Sequence, residues 1–382
     1  MLHFLPSEFK DRIQRTCAAI QREQLDGMLI FRQESMYWLT GFDTFGYVYF
    51  QCLVLGADGK LTLLCRRAEI DQARETSIID DTRIWIDGHG VNPALDLRAL
   101  LEDRGFRGKR LGIELEAYGL TGRNCLRLSA ALEGVCSLVD TSELISRLRL
   151  TKSANELKYV RRAAQLADDA LTVAHNLAGP GVDEAEILAA MHYEIYRGGG
   201  DDPANEFIIG SGKEALMVRY HSGRRRLDPR DQLNIEFAGV YRHYHSCLMR
   251  TICIGDPSPL HVKYHRVATD ALRASTAAMT VGSTIGEVFD AHARVFDASG
   301  LKKWRLHACG YALGTTFAPN WMDWPMIYGG NPVMVEPNMV FFLHMVVMDA
   351  ENHIVMSPGV TVVTGDGGCE ILSRHNLDLV TK

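Results

Sequence analysis

The stretch that decides the fold is DQLNIEFAGVYRHYHSCLMRT, residues 231–251. Apolar residues fill both of its halves, which predicts two buried β-strands, the second returning along the first. Glu236 lies inside the first strand, where burial of a carboxylate is costly unless the group is paired or takes part in chemistry. Glu236 could instead lie on a solvated face. We favour a functional Glu236, because no charged residue is close to it in the sequence.

The returning strand carries His243, His245 and Cys247, which the two-residue periodicity of a strand places on one face. An H-x-H pair on a strand can bind a metal ion. The chain has 14 histidines, however, so such a pair also arises by chance. The pattern alone is therefore a weak indication of a metal site.

A second candidate segment lies upstream, ALMVRYHSGRRR at residues 215–226. His221 follows an apolar run and precedes a basic cluster that begins at Arg224. This histidine could act as a general acid or base beside arginines that bind a carboxylate. A loop histidine next to a solvated basic turn gives the same pattern, and the spacing does not separate the two interpretations.

Two further segments lie downstream. LHACGYALG (residues 306–314) and APNWMDW (residues 318–324) combine glycines that allow close backbone approach to a ligand with tryptophans that could wall a pocket. A loop packed on the core is an equal alternative. In EPNMVFFLHMVVMD (residues 336–349), His344 lies within an apolar strand, where a core histidine with satisfied hydrogen bonds is more common than a catalyst.

The rest of the chain divides into two parts. Residues 1–145 alternate apolar strands with amphipathic helices, which predicts a small α/β domain with a mixed sheet. Residues 146–382 begin with a long amphipathic helix, for which Ser153 and Glu156 form a capping box, and continue with strands, two more helices and Gly-rich loops. At roughly 100–200 residues per domain, a chain of 382 residues agrees with two domains.

The composition excludes several classes of protein. Apolar residues make up 47% and charged residues 23%, as in ordinary globular enzymes. The net charge is 41 − 47 = −6, which argues against a nucleic-acid partner. The N-terminus lacks the pattern of a secretory signal, and no apolar run reaches the ~20 residues of a membrane span. Nine cysteines without a CxxC pair indicate reduced thiols. We expect a cytoplasmic protein without a membrane partner that acts on a small-molecule substrate.

Together these segments resemble the pita-bread superfamily of creatinase, prolidase and aminopeptidase P. The 231–251 stretch resembles the family hairpin GDlvliDlGa.y.gY.sDitRT, HACGYALG resembles HGxGHGIG, and EPNMVFFLH resembles EPGMVFTIE. The resemblance covers the whole chain. It implies an α+β fold, in which a pita-bread catalytic domain follows a smaller creatinase-type N-terminal α/β domain.

The departures from the family pattern concern its metal ligands. The metallopeptidases of this family hold two metal ions with two Asp, one His and two Glu. In order, the corresponding positions here carry Glu236, Cys247, Tyr311, His344 and Pro358. A pair of divalent ions needs several carboxylates to offset its charge. The usual dinuclear peptidase mechanism is therefore not expected.

Two interpretations follow. In the first, the site is metal-free, as the resemblance to creatinase implies. In the second, Glu236, Cys247 and His344 rebuild a single-metal site, since each of these side chains can bind a metal. We favour the first; Pro358 can contribute no side-chain ligand. Within the metal-free branch, the chain resembles ectoine hydrolase at EFAG (residues 236–239) and in the glycine loop. The last strand departs from them, with MSPG at residues 356–359 where an acidic residue is expected.

By this resemblance the chain is a hydrolase that cleaves a C–N bond in a small substrate, ectoine hydrolase-like or creatinase-like, with no cofactor. The predicted catalytic residues are Glu236 as nucleophile or general base, His221 as the acid for the leaving nitrogen, and His307 and Tyr311 as hydrogen-bond donors to developing charge. The predicted substrate-binding residues are Arg224, Arg242, His344, Trp321 and Trp324.

Two rival functions stay open at this point. A metal-dependent Xaa-Pro dipeptidase or aminopeptidase is the commonest activity for a chain of this layout. A catalytically inactive pita-bread module that binds peptides or proteins would also lack the five ligands. The retained polar residues argue against it, because buried polar groups without a role are costly. The resemblance also implies a homodimer.

Overall fold

The computed structural model describes residues 2–219 and 223–382 and divides the chain into two compact units, between Arg149 and Leu150. The boundary predicted from the sequence, between residues 145 and 146, lies four residues earlier, inside a helix that spans Leu144–Leu150. None of the helices in the described part of the chain is long and apolar enough to cross a membrane.

The first unit is an α/β domain. Its helices and strands, in chain order, are α1 (Pro6–Arg22), β1 (Gly27–Ile30), α2 (Gln33–Thr40), a 3-10 turn (Gly46–Val48), β2 (Cys52–Gly56), β3 (Leu61–Arg66), a 3-10 turn (Arg67–Glu69), α3 (Ile70–Thr76), β4 (Thr82–Trp85), α4 (Pro93–Asp103), β5 (Arg110–Ile113), α5 (Gly122–Leu132), β6 (Ser137–Asp140) and α6 (Leu144–Leu150). The strands form one mixed sheet in the order β4-β3-β2-β1-β5-β6. The predicted mixed sheet is confirmed.

Both faces of this sheet are covered. Along β1, Leu29 packs into one apolar cluster, while Met28 and Ile30 pack into another. Successive side chains of a strand point to opposite faces, so a strand buried on both sides reads as a continuous apolar run. The sequence does not predict the helices α2 and α3, because eight and seven residues are too few to show a helical period.

The second unit contains the remaining elements. In chain order they are α7 (Ala154–Leu177), α8 (Glu184–Arg197), β7 (Ile208–Ser211), a 3-10 turn (Gly212–Leu216), β8 (Asp231–Tyr241), β9 (Tyr244–Ile254), α9 (Pro259–Ala278), α10 (Ile285–Ala298), a 3-10 turn (Lys302–Trp304), β10 (Ala308–Ala312), β11 (Asp323–Tyr328), β12 (Val340–His344), β13 (Val347–Asp349), β14 (Ile354–Met356), β15 (Gly359–Gly365), β16 (Gly368–Ile371) and β17 (Val380–Thr381).

A nine-stranded sheet forms the centre of this unit, with the path β11-β10-β12-β15-β9-β8-β7; β16 pairs with β15, and β17 with β9. The long hairpin β8–β9 is antiparallel throughout, from Asp231 opposite Ile254 to Tyr241 opposite Tyr244. The two strands predicted from residues 231–251 are thus confirmed. Every residue of β9 is buried, as are all of β8 except its two ends.

The long helix α7 covers β8 and β9. Its capping box is confirmed: Ser153 Oγ accepts the Glu156 amide proton, and Glu156 Oε2 accepts that of Ser153. The other oxygen of Glu156 accepts a hydrogen bond from the Tyr244 hydroxyl at 2.8 Å, which ties the start of the helix to the hairpin. A Cβ atom at Gly239 of β8 would lie 2.0 Å from the carbonyl oxygen of Ala163, so helix and strand approach through glycine and alanine.

We expect Gly239→Ala to destabilise the second unit by about 1–3 kcal/mol, because the added methyl group meets the backbone of α7 rather than a side chain that can move. The measurement is the thermal melting midpoint. Gly367→Ala is the matched control, since a Cβ there has no atom within 4 Å. Equal melting midpoints for both variants would contradict the close approach of α7 to β8.

Candidate functional site

Glu236 lies at the middle of β8 and faces a cavity in the second unit. Its neighbours in the sheet are Ile208 on β7 and Met249 on β9. The side chain is buried, with 9% of the residue exposed. Directly paired residues of antiparallel strands share a face, so Met249 lies beside Glu236 on the cavity side. The apolar strand that the sequence indicated therefore carries its carboxylate inward rather than toward solvent.

Burial raises the pKa of Glu236 from its ordinary value of 4.5 to about 7. The loss of hydration disfavours the ionised form, and this effect is the largest. The positive charge of Arg219 and a hydrogen bond from the Tyr311 hydroxyl act in the opposite direction. The carboxylate is thus poised near neutral pH, as a group that exchanges a proton during catalysis should be.

Tyr311, on β10, connects Glu236 to the aromatic wall of the cavity. Its hydroxyl donates to Glu236 Oε1 at 3.4 Å and accepts from Trp321 Nε1 at 2.8 Å. All three residues are buried. Burial and then the negative charge of Glu236 raise the pKa of Tyr311 well above its ordinary value, so the phenol keeps its proton. The tyrosine is a fixed hydrogen-bond donor beside the carboxylate.

His344, the last residue of β12, also lines the cavity. Burial, followed by the charge of Arg219, lowers the pKa of His344 to about 4, so the imidazole is neutral. Its ring centroid lies 5.6 Å from that of Tyr311. The Nδ1 atom is buried and has no hydrogen-bond partner within residues 2–219 and 223–382. A neutral histidine with an open ring nitrogen can accept or donate one hydrogen bond.

The cavity has an inner and an outer compartment. We call the first compartment, with a volume of about 50 Å³, the inner cavity. Its lining residues are Asn205, Ile208, Val218, Arg219, Glu236, Met249, Leu306, Tyr311, Asn320, Trp321, Met322, His344 and Val346. We call the adjoining compartment, with a volume of about 330 Å³, the outer pocket. It is lined by residues 203–208, Arg219, Ala318 and Pro319. Asn205, Ile208 and Arg219 line both. The structure thus brings four predicted residues together: Glu236, Tyr311, Trp321 and His344.

Four other predicted residues do not line either compartment. His307 is exposed, although its neighbour Leu306 faces the inner cavity, and the Arg224 side chain is exposed. Arg242 lies in the turn between β8 and β9, where its guanidinium donates to the Tyr159 hydroxyl. Trp324 is half-buried on β11. The predicted acid His221 lies outside the described residues.

Three further polar residues line the inner cavity without having been predicted from the sequence: Arg219, Asn205 and Asn320. Arg219 ends the apolar run at residues 215–218 and lies two positions before His221. An arginine that ends an apolar run is a usable signal, but the basic cluster at residues 224–226 is the denser one in this segment. The two asparagines lie in irregular segments, where sequence periodicity gives no orientation.

The prediction that His243 shares a face with Cys247 is wrong. Arg242 and His243 form the two-residue turn of the hairpin, with φ values of +51° and +63°. Two positive φ values are typical of the type I′ turn, which fits the twist of paired strands. His243 stacks on Phe317, with ring centroids 4.2 Å apart.

His245 has a structural environment. Its Nε2 accepts the amide proton of Ala204 at 3.0 Å, and its Nδ1 contacts the carbonyl oxygen of His243 at 2.8 Å and the Thr316 hydroxyl at 3.1 Å. Burial lowers the pKa of His245 to about 3, which keeps Nε2 free to accept. The histidine thereby ties Ala204, in the wall of the outer pocket, to the segment that leads to Trp321.

The residues at the five family ligand positions do not fit a dinuclear metal centre. Glu236 is the one carboxylate among them. Burial, and then the charge of Glu236, raises the pKa of Cys247 well above its ordinary value, so this thiol is protonated, whereas metals bind the thiolate. Tyr311 keeps its proton, and Pro358 offers no side-chain donor. Within residues 2–219 and 223–382, no group of three or more His, Cys, Asp or Glu side chains could hold a metal ion.

Comparison with known families defines the class of protein. Residues 158–372 match the model of metallopeptidase family M24, and residues 12–151 match the creatinase/prolidase N-terminal domain. The first match alone spans more than half of the chain. The chain therefore belongs to family M24, in the creatinase/Xaa-Pro peptidase superfamily of hydrolases that act on C–N bonds. The resemblance stated from the sequence and the predicted fold class are confirmed at this level.

Particular relatives are more distant. Ectoine hydrolase of Halomonas elongata is 23% identical, covering 100% of this chain and 99% of that protein. The Xaa-Pro dipeptidase of Pyrococcus furiosus is 21% identical, covering 97% of this chain and 100% of that protein. Prolidase of Thermococcus sibiricus has a similar structure, with a TM-score of 0.87 at 22% identity, covering 98% of this chain and 99% of that one. At 22% identity, the similarity to the prolidase structure establishes the fold alone.

We expect Glu236→Gln to change how stability depends on pH. The pKa of Glu236 is raised in the folded protein, so its contribution to stability is fully present below about pH 4.5 and is lost as the pH rises through about 7. Glutamine does not titrate. The variant should therefore gain stability relative to wild type between pH 5 and 8, by at most about 3 kcal/mol.

The measurement is the melting midpoint of wild type and variant at pH 5 and pH 8. Glu186→Gln, at an exposed position of α8, is the control and should follow the wild type at both pH values. Parallel pH profiles for wild type and Glu236→Gln would show that Glu236 is ionised at its ordinary pKa and is not buried as described.

Proposed function

We propose that this protein hydrolyses a C–N bond in a small substrate without the dinuclear metal centre of the family, as an ectoine hydrolase-like or creatinase-like enzyme. One observation carries the proposal: a buried carboxylate with a pKa of about 7 faces a small cavity beside a tyrosine hydroxyl that is held by a second hydrogen bond. The residues at the family ligand positions support the metal-free form, because one carboxylate cannot offset the charge of two divalent ions.

Glu236 supplies the reactive oxygen. In its ionised form it either takes a proton from the water that attacks the carbon of the C–N bond, or attacks that carbon itself. Both routes use the same carboxylate oxygens and the same ionised state. A pKa near neutral pH keeps a substantial fraction ionised while leaving enough basicity to accept a proton.

Tyr311 stabilises the charge that develops during the attack. Its hydroxyl is held by Trp321 Nε1 at 2.8 Å, so it is oriented before the substrate binds. A pre-oriented donor in a buried site is worth more than one in bulk water, since no reorganisation is needed during the reaction. We assign this donor role to Tyr311 and withdraw it from His307, which is exposed.

The leaving nitrogen needs a proton. The sequence assigns this step to His221, which lies outside the described residues, and that assignment stays a prediction. His344 is a second polar group in the inner cavity. With a pKa of about 4, it is neutral under physiological conditions and serves as a hydrogen-bond partner that orients the substrate.

A metal-dependent Xaa-Pro dipeptidase is the main rival, because several relatives carry that name, among them the Pyrococcus furiosus protein. The two functions differ in what they require. The dipeptidase needs tightly bound metal and several carboxylate ligands. A C–N hydrolase of the proposed kind needs Glu236 and Tyr311 alone among the five family ligand positions.

We expect hydrolysis of ectoine, creatine or an Xaa-Pro dipeptide to proceed unchanged after exhaustive chelation. Glu236→Gln should lower kcat by about 10²- to 10⁴-fold, the usual contribution of general acid–base catalysis. Glu186→Gln is the control and should retain wild-type activity, since its side chain is exposed on α8.

Activity that appears only when zinc, manganese or cobalt is added, together with near-stoichiometric metal in the purified protein, would establish the rival function. Absence of hydrolysis with every substrate, with and without metal, would instead favour the inactive binding module.

We also propose that the protein is a cytoplasmic homodimer. All nine cysteines are free, which supports a reducing compartment. The dimer follows from the family resemblance, and the molar mass in solution tests it.

A further inference from the structure

Arg219 lies where the two compartments of the cavity meet. It lines both the inner cavity, where Glu236 lies, and the outer pocket. The positive charge of Arg219 reaches Glu236 and His344, because it lowers the pKa of both groups. The arginine thus marks the border between the reacting groups and the space in which the rest of a substrate would lie.

Arg219 makes no ion pair with any carboxylate of residues 2–219 and 223–382. Most arginines of the protein differ in this respect, for example Arg225, which binds Asp231. The acidic residues that line the two compartments are Glu236, whose pKa is raised to about 7, and Glu206, which is exposed in the outer pocket. An arginine without an internal partner at a cavity border is suited to bind an anion.

We propose that Arg219 binds a carboxylate of the substrate, and that the substrate is a small organic acid with its scissile C–N bond in the inner cavity and the rest of the molecule in the outer pocket. This inference rests on the proposed function. Arg219 takes the carboxylate-binding role that the sequence predicted for Arg224 and Arg242, because those two arginines line neither compartment.

The sizes of the two compartments agree with such a molecule. The inner cavity, about 50 Å³, is far smaller than the roughly 300–1,000 Å³ of most ligand pockets. It admits the reacting group and a water molecule rather than a whole substrate. The outer pocket, about 330 Å³, falls within the usual range and holds the remainder.

Binding would also change the pKa of Glu236. The Arg219 charge favours the ionised carboxylate. A bound substrate carboxylate offsets that charge, so the pKa of Glu236 rises when the site is occupied, which gives binding a spectroscopic signature.

The test is calorimetric binding of three acids, ectoine, creatine and glycylproline, each compared with its carboxamide. In wild type, at least one acid should bind about ten- to hundredfold more tightly than its amide, as expected for a charge-assisted hydrogen-bonded pair. Arg219→Gln should remove this preference by weakening the acid alone, and Arg219→Lys should keep part of it. Arg230→Gln, an exposed arginine outside both compartments, is the control.

An infrared titration of the Glu236 carboxyl, identified by its loss in Glu236→Gln, gives a second readout. The preferred acid should raise the pKa of Glu236 in wild type, and Arg219→Gln should raise it without ligand and abolish the response. Equal binding of acids and amides, no binding of any probe, or an unchanged pKa in Arg219→Gln would overturn the assignment. Since binding requires no turnover, a failure of the proposed hydrolysis is detected separately in the activity screen.

Discussion

The burial of one carboxylate in the middle of a paired strand is the constraint on which the site depends. Glu236 has strands on both sides, and the hairpin that carries it is covered by α7, whose close approach requires Gly239 three residues later. A carboxylate held this rigidly cannot turn toward solvent to recover its hydration. The cost appears as a pKa raised to about 7, a shift of the kind found at functional sites.

The groups around Glu236 at the ligand positions of the family are uncharged. A protonated tyrosine, a protonated cysteine and a neutral histidine occupy ligand positions of the fold. Each is neutral because burial disfavours its charged form. Among residues 2–219 and 223–382, the full charge that acts on the carboxylate is that of Arg219, which lies at the cavity border. The electrostatics of the site thus depend on a residue that a substrate can reach.

Much of the fold could be predicted from the sequence, because its signals are local. The apolar runs of β8 and β9 and the capping box of α7 each depend on residues within a few positions of one another. The failures have equally local causes. The turn at Arg242 and His243 contains no glycine or asparagine, so its positive φ values leave no mark in the sequence and His243 was placed in the strand.

The sequence by itself determined which side chains occupy the five ligand positions, and hence that a dinuclear centre has too few carboxylates. It also determined that Glu236 lies in an apolar strand. The tertiary structure decided which polar residues converge on it. Arg219 lines the cavity while Arg224, five residues later, lines neither compartment, and Tyr311 lines it while His307 does not. The physical reason is that convergence depends on how distant segments pack across the sheet, which the spacing of residues along one segment does not encode.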